Sequence, residues 1–296
     1  MNVKKIKRKI LKFFFEEQWY PVICDEKGRT LKQLMPPKNY IWADPFPVVD
    51  GERTYIFLEE QRKGQNGRLG YIELYADCSF SSFTPILEKP YHLSWPNVIR
   101  VENEGITRWY LIPESGENNT VDVYWAVSFP DTWEFCMTML SPFTGADPEV
   151  YQESDSSWWL FVSGASGSTR VNRELHLYHS TSFPSNNWHK VNDLPVVTGV
   201  ERSRMAGKIF RNEEGFLIRP AQSCKGEYGQ YIVFNHIEEL TKSSYRERSV
   251  SAFYPTASGV VCTHTWNRYG KLVVRDEKKR WFSIWLYRRL RDLLSS

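Results

Sequence analysis

Two phrases of this chain, Trp42-Ala43-Asp44-Pro45 and Gly145-Ala146-Asp147-Pro148, place a carboxylate directly before a proline at the start of a hydrophobic run. Proline pushes the residue before it to an extended backbone, so each acid is expected to open a strand in a fixed pose. Two such carboxylates facing one pocket suit chemistry at a sugar anomeric carbon. There, one group takes a proton from the attacking oxygen and another assists the leaving group. Asp44 is the expected base. Asp147 and Glu114 are expected to orient substrate or to act as the acid. Glu60 is a further candidate, because Glu59-Glu60 and Pro113-Glu114-Ser115 each end an aromatic-rich strand. Acids gathered in one place raise one another's pKa, which lets one hold a proton near neutrality. The alternative for each Asp-Pro pair is structural: an acid capping a strand start.

A basic set complements these acids: Arg202, Arg204 and Lys208 within Glu201–Lys208, together with Arg219 and His264. Arginine makes forked contacts to phosphate or carboxylate. Acids and bases at one opening suit a nucleotide sugar, with Arg202, Arg204 and His264 as the expected donor-phosphate contacts; mutual ion pairing is the alternative. His92 and Trp95, in Tyr91-His92-Leu93-Ser94-Trp95-Pro96, join the substrate-binding set. No cluster has metal-ligand spacing. Neither a Walker phosphate loop nor a Rossmann glycine fingerprint is present, so no metal or cofactor is expected. Five cysteines without a close pair point to a reducing compartment.

Residues so far apart can meet only if the chain is a radial repeat. The openings at Asp44, Trp95, Asp147, Ala206 and His264 recur at intervals of roughly fifty to sixty residues, each followed by a hydrophobic strand, a polar turn and an aromatic-rich strand. A third, alternating strand follows in Gly70–Tyr75, Val121–Trp125, Glu174–Tyr178 and Gln230–Phe234. Two outer phrases, Phe129-Pro130-Asp131-Thr132-Trp133 and Phe183-Pro184-Ser185-Asn186-Asn187-Trp188, read as a fourth strand. The expected fold is all-β, a five-bladed β-propeller. The fifth repeat runs out of sequence, and Tyr20–Cys24 is expected to complete it and remove a free edge. The expected division is a basic extension over 1–18, a propeller over 19–276 and a basic amphipathic helix over 277–296. In such an array the opening strands line the central channel, so the acids and bases above converge on one mouth.

The net charge of +3 conceals an asymmetry. Residues 1–12 hold six Lys or Arg and no acid, as do residues 278–291; the body between carries 26 basic against 34 acidic residues. An acidic body with basic ends does not match a nucleic-acid binder, whose positive charge lines its binding face. It matches a soluble domain held against an anionic membrane surface by its ends. Trp281, Phe282, Trp285, Leu286 and Leu290 at helical spacing beside Arg288, Arg289 and Arg291 support that reading, with docking on the protein's own body or on a partner as the alternative. The run Ile10–Phe15 is too short for a membrane span and lacks a signal-peptide cleavage site. The expected location is the cytoplasm, at the inner membrane face.

The phrases Trp42–Phe46, Ile56–Glu60, Pro85–Ser94, Ile112–Ser115 with Glu117-Asn118-Asn119, Ala146-Asp147-Pro148, Glu174–Leu177, Arg202–Gly207, Arg219–Gln222 and Thr263-His264-Thr265 resemble the N-terminal domain of plant glucosamine inositolphosphorylceramide transferase and its bacterial relatives. The resemblance implies a five-bladed propeller akin to arabinanase-type glycoside hydrolases, and a setting in glycan or glycolipid assembly. In those hydrolases a first-blade Asp is the base, which maps to Asp44; their acid Glu and third carboxylate find no match here. In the plant protein a separate C-terminal domain resembles a glycosyltransferase, so the propeller here is either catalytic itself or a companion module. The expected function is a glycosyltransferase of bacterial surface-polysaccharide or glycolipid assembly, passing sugar from a nucleotide-activated donor to a lipid-linked acceptor. A glycoside hydrolase or phosphorylase of the same architecture, and a non-catalytic glycan-binding module, are the rivals.

Overall fold

A computed structural model describes residues 13–103, 105–165 and 171–284. The five repeats form five antiparallel sheets. The opening strands of the first three blades are Tyr40–Asp50, Ser94–Asn103 and Gly145–Ser154, and their second strands are Arg53–Arg62, Ile106–Glu114 and Ser157–Gly164. Blade four breaks its opening strand into Arg204–Met205 and Phe210–Arg211, both paired with Leu217–Ser223. Blade five is assembled from both ends of the chain. Trp266–Tyr269 pairs with Leu272–Phe282, which pairs along its whole length with Phe15–Cys24, which in turn carries Thr30–Gln33 on its outer side.

The closing strand was legible in the sequence, but its boundaries were not. Pairing runs from Phe15↔Phe282 to Cys24↔Val273, so the expected divisions at 18/19 and 276/277 fall inside strands. Residues 277–282 are therefore strand and not helix; the rest of the expected helix, beyond Ile284, and the extension before Phe13 lie outside the described residues. The first Phe-Pro phrase turns over Phe129–Asp131 and enters the outer strand at Thr132, as expected, whereas the second is loop throughout and its outer strand begins after it at His189. Their tryptophans fold back, Trp133 Nε1 donating to Pro130 O at 2.7 Å and Trp188 Nε1 to Ser185 O at 2.8 Å. Much of the aromatic content is spent on packing between blades. Phe129 lies stacked on Trp109 at 4.3 Å and touches Tyr55 and Phe57, while Phe46 meets Trp95 edge-on at 5.0 Å. Such ring pairs add to the burial of their large surfaces. No helix among the described residues is long and apolar enough to cross a membrane.

Candidate active site at the channel mouth

Three of the five openings share one backbone device. Asp44, Trp95 and Asp147 occupy equivalent positions, and all three are left-handed, at φ 50°, 54° and 53°. Each lies in a bulge, where pairing skips from Ala43 to Phe46, from Ser94 to Asn97 and from Ala146 to Glu149. The extended pose expected before proline is thus overturned. A non-glycine residue in this region costs on the order of 1–3 kcal/mol and persists where its surroundings over-determine it. What holds it here is a chain of contacts from each blade to the next. The N–H of Asp44 donates to Asp276 Oδ2 of blade five (3.2 Å), that of Trp95 to Asp44 Oδ2 (3.1 Å), and that of Asp147 to Glu114 Oε2 (3.2 Å). The bulge frees an N–H from the ladder and aims it at a neighbouring carboxylate.

Asp44 is buried. It accepts from the Thr265 hydroxyl at 2.8 Å, and His264 Nε2 lies 3.7 Å away. His264 Nδ1 sits 2.5 Å from Asp276 Oδ2, whose other oxygen accepts the N–H groups of His264 (2.9 Å) and Thr265 (3.1 Å). Trp19 stacks on the imidazole at 4.2 Å and Tyr228 approaches it edge-on at 5.4 Å. Burial works against the imidazolium, but Asp276 and then Asp44 more than offset this and raise the pKa of His264. Burial likewise opposes ionisation of Asp276, yet His264 and the two backbone N–H groups hold it below the usual carboxylate range. Asp44 is raised, by burial first and then by Asp276 and Asp147, against the pull of His264.

Across the mouth Arg204 forks onto Asp147, at 2.5 Å and 2.6 Å, and reaches Glu114 at 3.4 Å. Gln222 Nε2 donates to Asp147 at 3.1 Å, and the Tyr228 ring lies 5.2 Å from the guanidinium. Desolvation pushes Glu114 up to about 8, against the pull of Arg204 and with help from Asp147 and Asp44. Glu59, buried between these groups and His92, is held well above the usual range by burial, then by Asp44 and Glu114. His92 accepts the Gly67 N–H on Nδ1 at 2.9 Å, so its proton is on Nε2, 3.5 Å from Glu59 Oε1. The mouth therefore holds Asp44 beside the His264 imidazole, Asp147 in an ion pair with Arg204, and two carboxyls, Glu59 and Glu114, that burial biases towards the protonated form.

The structure brings Asp44, Asp147, Glu114, Arg204, His264 and His92 together. It places the other expected residues elsewhere. Glu60 accepts from the Trp42 indole (3.0 Å) and pairs with Arg68 (2.8 Å) on the opposite face of its strand; adjacent strand residues point oppositely, and Glu59 takes the axial place. Arg219 is fully buried inside blade four, forked onto Glu247 at 2.7 Å with both nitrogens. Lys208 donates to Val98 O and lines a separate cavity of about 320 Å³ with Asp50, Trp109 and Tyr269, at the far ends of the opening strands. Arg202 lines another cavity, of about 540 Å³, with Arg173 and Lys225. Trp95 offers no stacking surface: it is fully buried, its indole donating to Pro148 O at 2.9 Å, and only its backbone N–H serves the site. Arg204 reaches the mouth, but its forked donors are spent on Asp147.

Asp276, Trp19 and Tyr228 are missing from the residues expected at the mouth, and Glu59, Gln222 and Thr265 are named in the sequence only as neighbours of Glu60, Arg219 and His264, without roles of their own. Asp276 carried a signal. The two-residue turn Gly270-Lys271 fixes a hairpin whose register, from Tyr269↔Leu272 to Trp266↔Arg275, carries on to set Thr265 beside Asp276. One atom each of Asp44, His264 and Asp276 lie within 4.8 Å of one another, a set able to hold a cation. To do so it would give up the tight His264–Asp276 pair, which already answers the local negative charge. Spacing in the sequence concealed this set, since its members come from opposite ends of the chain.

The match to known proteins covers this assembly from Pro21 onward, leaving out Trp19. The family model for the N-terminal region of glucosamine inositolphosphorylceramide transferase 1 matches residues 21–284. The chain belongs to this family. It is 32% identical over 221 residues to glucosamine inositolphosphorylceramide transferase 1 of Oryza sativa subsp. japonica, covering 73% of this chain and 28% of that protein. For the Arabidopsis thaliana protein of that name the figures are 31%, 72% and 28%. The chain thus spans little more than a quarter of the length of these relatives. Among solved structures, RS223-β-xylosidase superposes with a TM-score of 0.56 at 10% identity, covering 83% of this chain and 93% of that one. The Podospora anserina α-L-arabinofuranosidase PaAbf62A gives 0.54 at 12%, covering 69% and 66%. At such identities the likeness establishes the propeller fold alone.

Proposed function

We propose that this propeller is itself a glycosyltransferase of glycolipid assembly, peripheral to the cytoplasmic face of a membrane. It would move sugar from a nucleotide-activated donor to a lipid-linked acceptor. One observation supports this above the others: the mouth combines an Asp44 base in a prepared cradle with a proton-bearing Glu114 across from it. In the step, Asp44 takes the proton of an acceptor hydroxyl as that oxygen bonds to the anomeric carbon. The bond from that carbon to the donor phosphate breaks, and the proton of Glu114 goes to the departing phosphate oxygen. His264, positively charged, steadies Asp44 as the ion, and Thr265 and the Trp95 N–H fix its direction. Charge-assisted contacts of this kind position a base without rearrangement at the moment of reaction. The transferase names of the plant relatives accord with the reading.

The test is donor consumption. Purified protein with a panel of nucleotide sugars and a lipid-linked acceptor should release nucleotide, and Asp44→Asn should lower the rate by about 10²-fold or more, as expected for loss of a general base. If no donor on a broad panel is consumed or shifts the melting temperature, while aryl xylosides or arabinosides are cleaved, the transferase reading fails in favour of hydrolysis.

A further inference from the structure

The strand Leu272–Phe282 does not stop at the mouth. Asp276 stands level with Thr265, and the turn Tyr269–Leu272 marks the opposite face of the ring. From Asp276 the strand runs six further residues away from that turn, roughly 20 Å at strand spacing, paired throughout with Phe15–Tyr20. An arm therefore rises on the same side as the catalytic mouth, three-stranded where Val260–Cys262 pairs with Lys278 and Lys279 and two-stranded only at its tip. Its tip is aromatic and open to solvent: Phe13 is 45% exposed, Phe14 39%, Trp281 37%, Phe282 64% and Ile284 41%. Phe14 lies parallel to Phe282 at 6.4 Å, and Phe13 meets Phe14 edge-on at 5.0 Å, so the rings form one ridge.

The arm's base is braced. Glu17 and Glu227 pair with Arg280, and Glu227 pairs with Lys278 at 2.6 Å. Four residues below Phe15, Trp19 lies against the catalytic His264. The acids beside the ridge are neutralised, Glu16 by Lys63 at 3.0 Å and Glu17 by Arg280. In sequence, the ridge is flanked on one side by residues 4–12, with six Lys or Arg, and on the other by Arg288, Arg289 and Arg291. Apolar rings bounded by positive charge and cleared of free negative charge are complementary to an anionic bilayer, where the rings enter the acyl boundary and the cations meet the headgroups.

We propose that this aromatic ridge is a membrane-docking wedge that inserts into an anionic bilayer and seats the catalytic mouth facing the lipid. The inference deepens the transferase reading, since it delivers a lipid-linked acceptor to Asp44, but its test needs no turnover. In co-sedimentation, the full chain should bind phosphatidylcholine vesicles containing phosphatidylserine, and bind phosphatidylcholine alone at least about tenfold more weakly. Phe14→Asp with Phe282→Asp should reduce binding by at least about tenfold with an unchanged melting temperature. Tyr269→Asp, an exposed aromatic on the opposite face, should leave binding intact. Orientation is read with brominated lipid: it should quench the emission that Trp281→Phe removes, and should not quench a tryptophan introduced by Glu52→Trp in that background. Undiminished binding of the double variant, quenching at position 52, or a ridge that pairs with a second copy in solution without binding vesicles would each overturn the proposal. If vesicle binding holds while the donor panel stays silent, the transferase reading fails and the wedge stands.

Discussion

The ion pair that divides the mouth gives the most demanding test. Arg204→Gln removes two short charge-assisted contacts, at 2.5 Å and 2.6 Å, from Asp147, which is 2% exposed. Asp147 then keeps the Gln222 amide at 3.1 Å and faces the Glu114 carboxyl that Arg204 had also engaged. Removing one partner of a buried pair leaves an uncompensated charge and costs about 3–5 kcal/mol. At roughly 2–4 °C per kcal/mol for a domain somewhat smaller than this one, the melting temperature should fall by about 6–20 °C. Urea or thermal unfolding of the wild type, Arg204→Gln, Asp147→Asn and the double variant closes a cycle, and the double variant should be more stable than either single one. A loss under about 1 kcal/mol, or additive losses in the double variant, would refute the view that Arg204 neutralises the mouth and leaves Asp44 as the working base.

Register is tested by Glu59→Gln and Glu60→Gln: the first should abolish turnover with little effect on folding, whereas the second should spare turnover and loosen the Trp42–Arg68 contact, read as a lower melting temperature. Glu114 keeps its proton to about 8 in the folded state and loses it near 4.5 when unfolded, so the native state binds the extra proton. Stability therefore falls as pH rises across that window, and Glu114→Gln should flatten the profile of melting temperature against pH. Turnover should decline above about 8 as the acid is lost, and Glu114→Gln should remove that limb together with about 10²-fold or more of the rate. Asp276→Asn should lower the pKa of His264, visible by NMR as an imidazole titration midpoint moved to lower pH, and should reduce turnover, since Asp276 acts both through His264 and by accepting the Asp44 N–H.

The propeller, its number of blades and its closure by an N-terminal strand could be read from the chain, because each blade repeats a local pattern of strand, turn and aromatic strand. Asp44, Asp147 and Glu114 could be read for the same reason: they mark the repeat's phase. The second strand of blade one shows where local pattern fails. Tyr55 to Glu60 are buried without a break, one face packed towards blade two and the other towards blade five, so no alternation separates Glu59 from Glu60. Which of them reaches the axis is fixed by pairing to Ala43, a contact between strands. The pairing of Arg204 with Asp147 and of His264 with Asp44 had no sequence signal, because it depends on which blades become neighbours once the ring shuts, whereas that of His264 with Asp276 follows the hairpin register inside blade five. Residue types set what charges were available. Closure set which charge lies beside which: Arg204 against Asp147, His264 beside Asp44, and Glu114 in buried surroundings that push its pKa up.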